Sequence, residues 1–199
     1  MHRHALVNAF GHVSARTEKG ILITPGKPLG RLPDEMVLVS PTSNALPDAA
    51  PREAWMHLAI YAARPEVNAI CRGQPDWVAA AAAADITIQP LHGQGSFCGR
   101  TVPVHPDSRL ARTSEQGWSV AESLGDADAL VLHGNGALTV GPDVPTTVAR
   151  LWVLDASARL NVLAASAGTP TPLPHSEQDQ WRTTEKELLT RIWDHLIHD

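Results

Sequence analysis

Cysteine, aromatic side chains and long apolar runs are scarce in this chain of 199 residues. The two cysteines, Cys71 and Cys98, cannot form a disulfide framework, so we expect buried thiols in a reducing, cytoplasmic setting. No apolar run reaches the roughly 18 residues that a membrane span needs, and no signal-peptide stretch follows the first residues. The net charge is −5 and basic residues form no block, which argues against a membrane or a nucleic acid as the partner.

Histidine, by contrast, is abundant, since the chain contains ten. Imidazole is a common metal ligand and a common acid or base near neutral pH, so the count suggests either a metal site or an acid–base site. The count alone establishes neither kind of site, because chain termini and helix surfaces also contain histidines.

The patterns along the chain predict a layered α/β domain. Apolar residues make up 43% of the chain and charged residues 19%, which is typical of one globular unit with a real core. Short β-type runs such as Ile21–Thr24 mix with helical patterns, the longest from Pro145 to about Ala167. Strands and helices do not alternate strictly, which favours a mixed sheet over a doubly wound parallel sheet.

A proline-rich segment divides the chain. Residues 168–174 include three prolines within five residues, which excludes a helix and predicts an extended connector. We therefore assign 1–168 to the α/β domain, 169–175 to the connector and 176–199 to a C-terminal helix. That helix is expected to pack on the same domain or on a neighbouring subunit.

Polar residues follow two apolar strand patterns. Arg72 and Gln74 come at the end of the first, and strand alternation places both on one face. Arg72 could bind a substrate carboxylate or pair with an acidic neighbour. His133 and Asn135 follow the second strand, and we expect them to share a strand face in the same way.

A glutamate opens a predicted helix. Glu53 would stabilise the helix dipole whether or not it is catalytic, and His57 follows one turn later on the same face. This pair alone is weak evidence for a metal, and we expect His57 to pack within its helix.

Read in order, several segments resemble the class II aldolase/adducin family over roughly residues 6 to 168. The segments are Gly11-His12-Val13-Ser14-Ala15-Arg16, Leu22-Ile23-Thr24-Pro25, Pro51-Arg52-Glu53, His57-Leu58-Ala59-Ile60-Tyr61, Arg64-Pro65-Glu66-Val67, Arg72-Gly73-Gln74-Pro75 and Gly134-Asn135-Gly136. The resemblance implies a single three-layer α/β/α domain with a central mixed, largely antiparallel sheet. It also implies a homo-oligomer, typically a tetramer with sites at subunit interfaces.

The resemblance also implies a divalent metal, usually zinc, held by three histidines. The corresponding positions here are Arg72, Gln74 and Asn135, so the usual three-histidine zinc site is absent. Arginine stays protonated and is not a normal metal ligand. The cofactor is therefore unknown, and another divalent metal stays possible.

A divergent branch of the family offers a closer resemblance. That branch includes relatives of the aminocoumarin-pathway oxygenases, and decarboxylases of aromatic hydroxy acids share the fold. The matching segments are Gly11-His12, Lys27-Pro28, Glu53, Cys71-Arg72, His92-Gly93 and Gly134-Asn135-Gly136.

These observations lead to one hypothesis with two alternatives. We expect a lyase or decarboxylase that acts on a small anionic substrate, an aromatic or hydroxylated carboxylate. The alternatives are an iron or manganese oxygenase, with Glu53 and His12, His92 or His133 as ligands, and a non-catalytic binding homologue. The candidate catalytic residues are Glu53, Arg72, His92 and His133, and the candidate substrate-binding residues are His12, Lys27, Gln74 and Asn135.

Overall fold

The computed structural model describes residues 1, 3–7, 9–27 and 35–198. Of the residues named above, Pro28 lies outside these ranges, and so does the histidine at position 2. Within them, no helix is long and apolar enough to cross a membrane.

In the described ranges, seven strands form one sheet in the order β3-β2-β1-β4-β7-β6-β5. The strands are β1 (His12–Thr17), β2 (Gly20–Ile23), β3 (Val37–Val39), β4 (Ala69–Gly73), β5 (Val104–His105), β6 (Ala129–Leu132) and β7 (Gly136–Gly141). Every neighbouring pair is antiparallel except β5 and β6, which run parallel. The expected mixed, largely antiparallel sheet is therefore confirmed.

Helices cover both faces of this sheet. They are α1 (Ala54–Ala63), α2 (Asp76–Ala83), α3 (Ser114–Leu124), α4 (Val144–Ala167), α5 (His175–Arg182) and α6 (Glu185–His198), with a 3-10 helix at Gly93–Cys98. Alternation along β4 sends Ile70 into a core beneath α1 and α3, and Cys71 into a second core beneath α2, α4 and α6. The three-layer α/β/α arrangement is confirmed.

Both cysteines belong to the second core. Cys71 and Cys98 are buried, and burial raises the pKa of each thiol to about 12. Thiols of this kind are not nucleophiles near neutral pH, as the sequence predicted.

Two local predictions are corrected. The C-terminal segment forms two helices rather than one, because the hydroxyls of Thr183 and Thr184 bond to the carbonyls of Gln180 and Trp181 where α5 ends.

The second correction concerns the end of β6. His133 and Asn135 lie in the turn between β6 and β7 and not on a strand face. Gly134 and Gly136 flank Asn135 with φ of 68° and 84°, a conformation that reverses the chain where a strand would continue it.

Candidate active site

Strand register places two candidate residues side by side. β1 pairs with β4, and His12 stands opposite Arg72. Alternation puts His12 and Ser14 on one face of β1, and both side chains are buried. Both bond to His57 of α1, so this face is the one that α1 covers.

Helix α1 lies along β1, and the spacing of its side chains matches that of the strand. Glu53 immediately precedes the helix, and His57 and Tyr61 come one and two turns later. Four helical residues rise about 6 Å, close to the roughly 6.6 Å that two strand residues span. Residues one helical turn apart, Glu53, His57 and Tyr61, therefore lie beside alternate residues of β1. Ser14 accordingly contacts both His57 and Tyr61.

The β6–β7 turn brings Asn135 to the same place. A Cβ on Gly136 would collide with the carbonyl oxygen of Gly73, so this turn packs closely against the end of β4. From there Nδ2 of Asn135 donates to Oε1 of Glu53 at 2.9 Å, and Oδ1 accepts from Nε2 of Gln74 at 3.3 Å. The amide therefore ties the end of β4 to the start of α1.

Arg72 lies at the centre of this group and is only 1% exposed. Its Nη2 donates to the backbone and side-chain oxygens of Asn135 and lies 3.4 Å from Oε2 of Glu53. Among the described residues, its Nε and Nη1 have no hydrogen-bond partner. Buried donors without partners are costly, so an anionic oxygen that reached this guanidinium would be bound favourably.

A cavity of about 450 Å³ opens beside these groups, a size that suits a small molecule. Six of the eight candidate site residues line it, namely His12, Lys27, Glu53, Arg72, Gln74 and Asn135. The Arg72 and Glu53 residues thus lie beside the same cavity.

The mouth of the cavity combines apolar and cationic side chains. Phe10, which is 68% exposed, and Leu110 form the apolar part. Lys27, Arg52 and Arg112 are exposed cations on the same lining. This combination suits a ligand with a flat apolar body and anionic substituents.

Glu53 is held as a carboxylate. Burial by itself would raise the pKa of its carboxyl. The contact with His12, the charge of Arg72 and the hydrogen bond from Asn135 together outweigh burial and lower that pKa. Glu53 is therefore ionised at neutral pH and able to accept a proton.

The two histidines beside Glu53 are neutral. Burial lowers the pKa of His12, although Glu53 opposes that shift. Burial lowers the pKa of His57 further, and the neighbouring His12 and Arg72 act in the same direction. The Glu53 carboxylate therefore lies next to a neutral His12, which in turn contacts a neutral His57.

The comparison with known families agrees with this architecture. Residues 1–162 match the model described as Class II Aldolase and Adducin N-terminal domain. The chain belongs to the class II aldolase family.

Curated relatives in this family carry two different activities. A 3,4-dihydroxyphthalate decarboxylase from Arthrobacter keyseri is 29% identical over 125 residues, which cover 60% of this chain and 50% of that protein. An L-fuculose phosphate aldolase from Methanococcus maripaludis strain C5 is 27% identical over 168 residues, covering 83% and 91%. The chain spans about half the length of the 3,4-dihydroxyphthalate decarboxylases that it matches.

Solved structures share the fold. An L-fuculose 1-phosphate aldolase superposes with a TM-score of 0.80 at 20% identity, covering 92% of this chain and 87% of the other. The L-fuculose-1-phosphate aldolase from Thermus thermophilus gives 0.73 at 26% identity, covering 84% and 92%.

The cavity of this class II aldolase family member does not fit the divalent metal that the family resemblance implies. The Arg72 guanidinium lies between Glu53 and Asn135, and it is cationic and has no lone pair for a metal. Across the part of the chain that the structure describes, no three His, Cys, Asp or Glu side chains group so as to hold a metal ion. The described residues of the cavity therefore offer anion-binding and acid–base groups rather than a set of metal ligands.

Two candidate catalytic histidines lie elsewhere. His92 is on the α4 side of the sheet, where Nε2 bonds to Ser157 Oγ at 2.9 Å and Nδ1 to Gln94 Oε1 at 3.0 Å. His133 is exposed in the β6–β7 turn, and neither residue lines the cavity. The expectation that they join Glu53 in one pocket of this chain is wrong, because motif order carries no information about distance across a sheet.

The oxygenase alternative loses its ligand set for the same reason. It required two of His12, His92 and His133 beside Glu53, and of these His12 alone approaches the carboxylate in the described ranges, at 3.7 Å. The described residues therefore do not assemble a two-histidine, one-carboxylate site.

Sequence reasoning gave no site role to three residues behind the cavity. Ser14, His57 and Tyr61 are buried and bonded in series to His12. The pattern that could have revealed them is the match between alternate strand positions 12, 14 and 16 and helix positions 53, 57 and 61.

Proposed function

We propose that this chain is a carbon–carbon lyase of the decarboxylase type that acts on a small hydroxylated aromatic carboxylate. The observation that carries the proposal is Arg72, a residue of the cavity lining. Its buried guanidinium has two nitrogens without partners among the described residues, and its Nη2 lies 3.4 Å from the carboxylate of Glu53. An anion-binding group and a proton acceptor thus face one small space.

The chemistry follows from these two groups. The Glu53 carboxylate takes the proton of a substrate hydroxyl, and Arg72 binds the oxyanion that results. Glu53 then returns the proton to the ring carbon that bears the carboxylate. The bond to that carboxylate breaks, CO₂ leaves and its electron pair restores the ring. A hydroxyaryl carboxylate thereby becomes a phenolate and CO₂, with atoms and charge balanced.

The other lining residues orient the substrate. Asn135 holds Glu53 and Arg72 in position, since it donates to the first and accepts from the second. Gln74 reaches the same amide and completes the polar wall. Lys27 and His12 supply a cation at the mouth and an imidazole beside the carboxylate.

The substrate class rests on the shape of the mouth together with the relatives. Phe10 and Leu110 offer apolar contact for a ring, and the exposed cations around them suit a second anionic group. The curated decarboxylases are named for 3,4-dihydroxyphthalate, a ring of this kind.

The test is CO₂ release by the purified chain from a panel of hydroxylated benzoates and phthalates, with L-fuculose 1-phosphate cleavage measured in parallel. We expect decarboxylation, and we expect it to persist in excess chelator. Arg72→Met and Glu53→Gln should each lower kcat/KM by roughly 100-fold or more, because each removes a group that acts on developing charge. Arg191→Met, on an exposed face of α6, is the matched control and should leave the rate unchanged.

Three results would overturn the proposal. One is aldol cleavage without CO₂ release. Another is a loss of activity in chelator that added metal restores. The third is oxygen consumption that requires iron or manganese, which would return the oxygenase alternative. If no panel member turns over and Arg72→Met leaves every ligand affinity unchanged, the non-catalytic alternative is favoured.

We also infer a homo-oligomer, a tetramer by the family resemblance, in a cytoplasmic setting. Exposed apolar residues on α4, Leu160 and Leu163, and Trp181 on α5 support burial against a second subunit.

A further inference from the structure

A series of buried hydrogen bonds runs from Tyr61 to the edge of the cavity. The Tyr61 hydroxyl lies 2.8 Å from Ser14 Oγ, which lies 2.6 Å from Nδ1 of His57. Nε2 of His57 lies 2.7 Å from Nδ1 of His12, and Nε2 of His12 lies 3.7 Å from Oε2 of Glu53. All members before Glu53 are buried, so each proton needs a partner within the series.

One direction of donation gives each of the first three protons an acceptor. The fourth, on Nε2 of His12, has no hydrogen-bond partner among the described residues and lies toward Oε2 of Glu53, with the two atoms 3.7 Å apart. Tyr61 donates to Ser14, Ser14 donates to Nδ1 of His57, and Nε2–H of His57 donates to Nδ1 of His12. Each neutral imidazole then carries its single proton on Nε2, and His12 directs that N–H at the Glu53 carboxylate. The series ends on an anion, which is the favourable terminus for a row of donors.

The opposite direction leaves two groups unsatisfied. Ser14 would donate to Tyr61, and the tyrosine proton would have no acceptor, since Ser14 is the one hydrogen-bond partner of that hydroxyl among the described residues. At the other end, Nε2 of His12 would turn a lone pair toward the Glu53 carboxylate. Both faults lie in a buried place, where they are costly.

Tyr61 is itself held in place. The guanidinium of Arg16 packs over its ring at 4.8 Å, and Nη2 of Arg16 donates to its backbone oxygen at 2.9 Å. The far end of the series is therefore fixed, and the orientation of the hydroxyl follows from its one partner.

We propose that Tyr61, Ser14 and His57 are positioning residues that fix His12 as the tautomer protonated on Nε2. His12 then presents an N–H to Glu53 and joins Arg72 in holding the carboxylate ready to accept a proton. The catalytic consequence rests on the proposed lyase function, whereas the tautomer assignment does not.

The experiment is long-range proton–nitrogen NMR on the full chain labelled with ¹⁵N-histidine near pH 7.5. His12→Gln and His57→Gln identify the two sets of signals by their disappearance. We expect both imidazoles to be neutral and protonated on Nε2. A wild-type His12 protonated on Nδ1, or on both nitrogens, would overturn the proposal.

Ser14→Ala tests the relay itself. Removing the Ser14 donor leaves Nδ1 of His57 without its hydrogen bond, so the Nδ1–H tautomer should become populated at His57 and His12. Ser157→Ala is the matched control, because it removes the same kind of serine–histidine bond at His92 on the opposite face of the sheet. If Ser14→Ala folds and leaves the His12 and His57 signals unchanged, the relay does not set the tautomer.

A kinetic arm applies once a substrate is found. Ser14→Ala should lower kcat about tenfold or more with little change in KM, as loss of an orienting outer partner does. Failure of the lyase assay leaves the NMR result intact, while a wrong tautomer with full lyase activity removes this proposal alone.

Discussion

Two buried arginines on opposite sides of the sheet differ in how their donors are used. Arg150, a residue of α4 that is 5% exposed, donates from Nε to the Phe97 carbonyl at 3.0 Å, from Nη1 to the Val140 carbonyl and from Nη2 to Glu185. Arg72, 1% exposed beneath α1, uses Nη2 and leaves Nε and Nη1 without partners among the described residues. Burial is nearly equal, so burial does not account for the difference.

The difference separates a structural role from a binding role. Arg150 connects β7, the 3-10 helix and α6, and each of its three guanidinium nitrogens donates to one of them. Arg72 bonds to Asn135 through one nitrogen and belongs to the lining of the cavity. A buried cation with unpaired donors keeps a desolvation cost that an anionic ligand can offset.

Removing the saturated arginine should have the largest effect on stability. Arg150→Met leaves Glu185 and two carbonyls without their donor, so we expect the free energy of unfolding to fall by about 3–5 kcal/mol. Urea unfolding followed by circular dichroism measures it. Arg191→Met, in an exposed ion pair on α6, should change that free energy by less than about 0.5 kcal/mol. Equal losses in both variants would contradict the structural role of Arg150.

Removing the unsaturated arginine should cost much less. Arg72→Met deletes two unpaired donors along with the partnered one, and Glu53, whose side chain is 14% exposed, can be hydrated from the cavity. We expect a loss below about 1 kcal/mol in the same urea experiment, with the lyase activity reduced as proposed above. A loss as large as that of Arg150→Met would show that Arg72, like Arg150, has a structural role.

The two sides of the sheet should also differ in how their stability depends on pH. Folding lowers the pKa of His12 and His57 below the ordinary value of 6.5, so the unfolded chain binds more protons below that pH. The free energy of unfolding should therefore be greatest above about pH 6.5. It should decrease as the pH falls below that value, by up to about 1.4 kcal/mol per pH unit for each histidine. His57→Gln should make this decline shallower.

The partners of Arg150 provide the contrast for that measurement, because they are carboxylates and carbonyls. Arg150→Met should lower the whole stability curve and keep the slope between pH 5 and pH 6.5. Unfolding free energies measured across this range give both slopes. An unchanged slope in His57→Gln would show that this histidine does not carry the pH dependence.

Much of the candidate site could be inferred from local patterns. Arg72 and Gln74 share a face because strand side chains alternate, and Glu53 opens a helix because a carboxylate suits that end. Those patterns span two to four residues, where the geometry of one strand or one helix turn fixes which side chains meet. Both expectations agree with the cavity lining.

The errors have a common physical cause. His92 and His133 carry suitable chemistry, but the distance from either to Glu53 depends on which face of the sheet a loop covers and where a turn reverses. The two glycines beside Asn135 reverse the chain and bring the amide inward, while His133 stays exposed. Short-range patterns do not encode such distances.

By itself, the sequence determined the family and the layered α/β class, because these follow from residue identity, order and spacing. It also placed an arginine where the family resemblance implies a metal ligand. The tertiary structure alone decided that two donors of Arg72 are unused, that His92 lies on the far side of the sheet, and that Ser14, His57 and Tyr61 line up behind His12. Those facts depend on strand register and on the packing of α1 and α4 over opposite faces of the sheet, which bring together residues more than 40 positions apart.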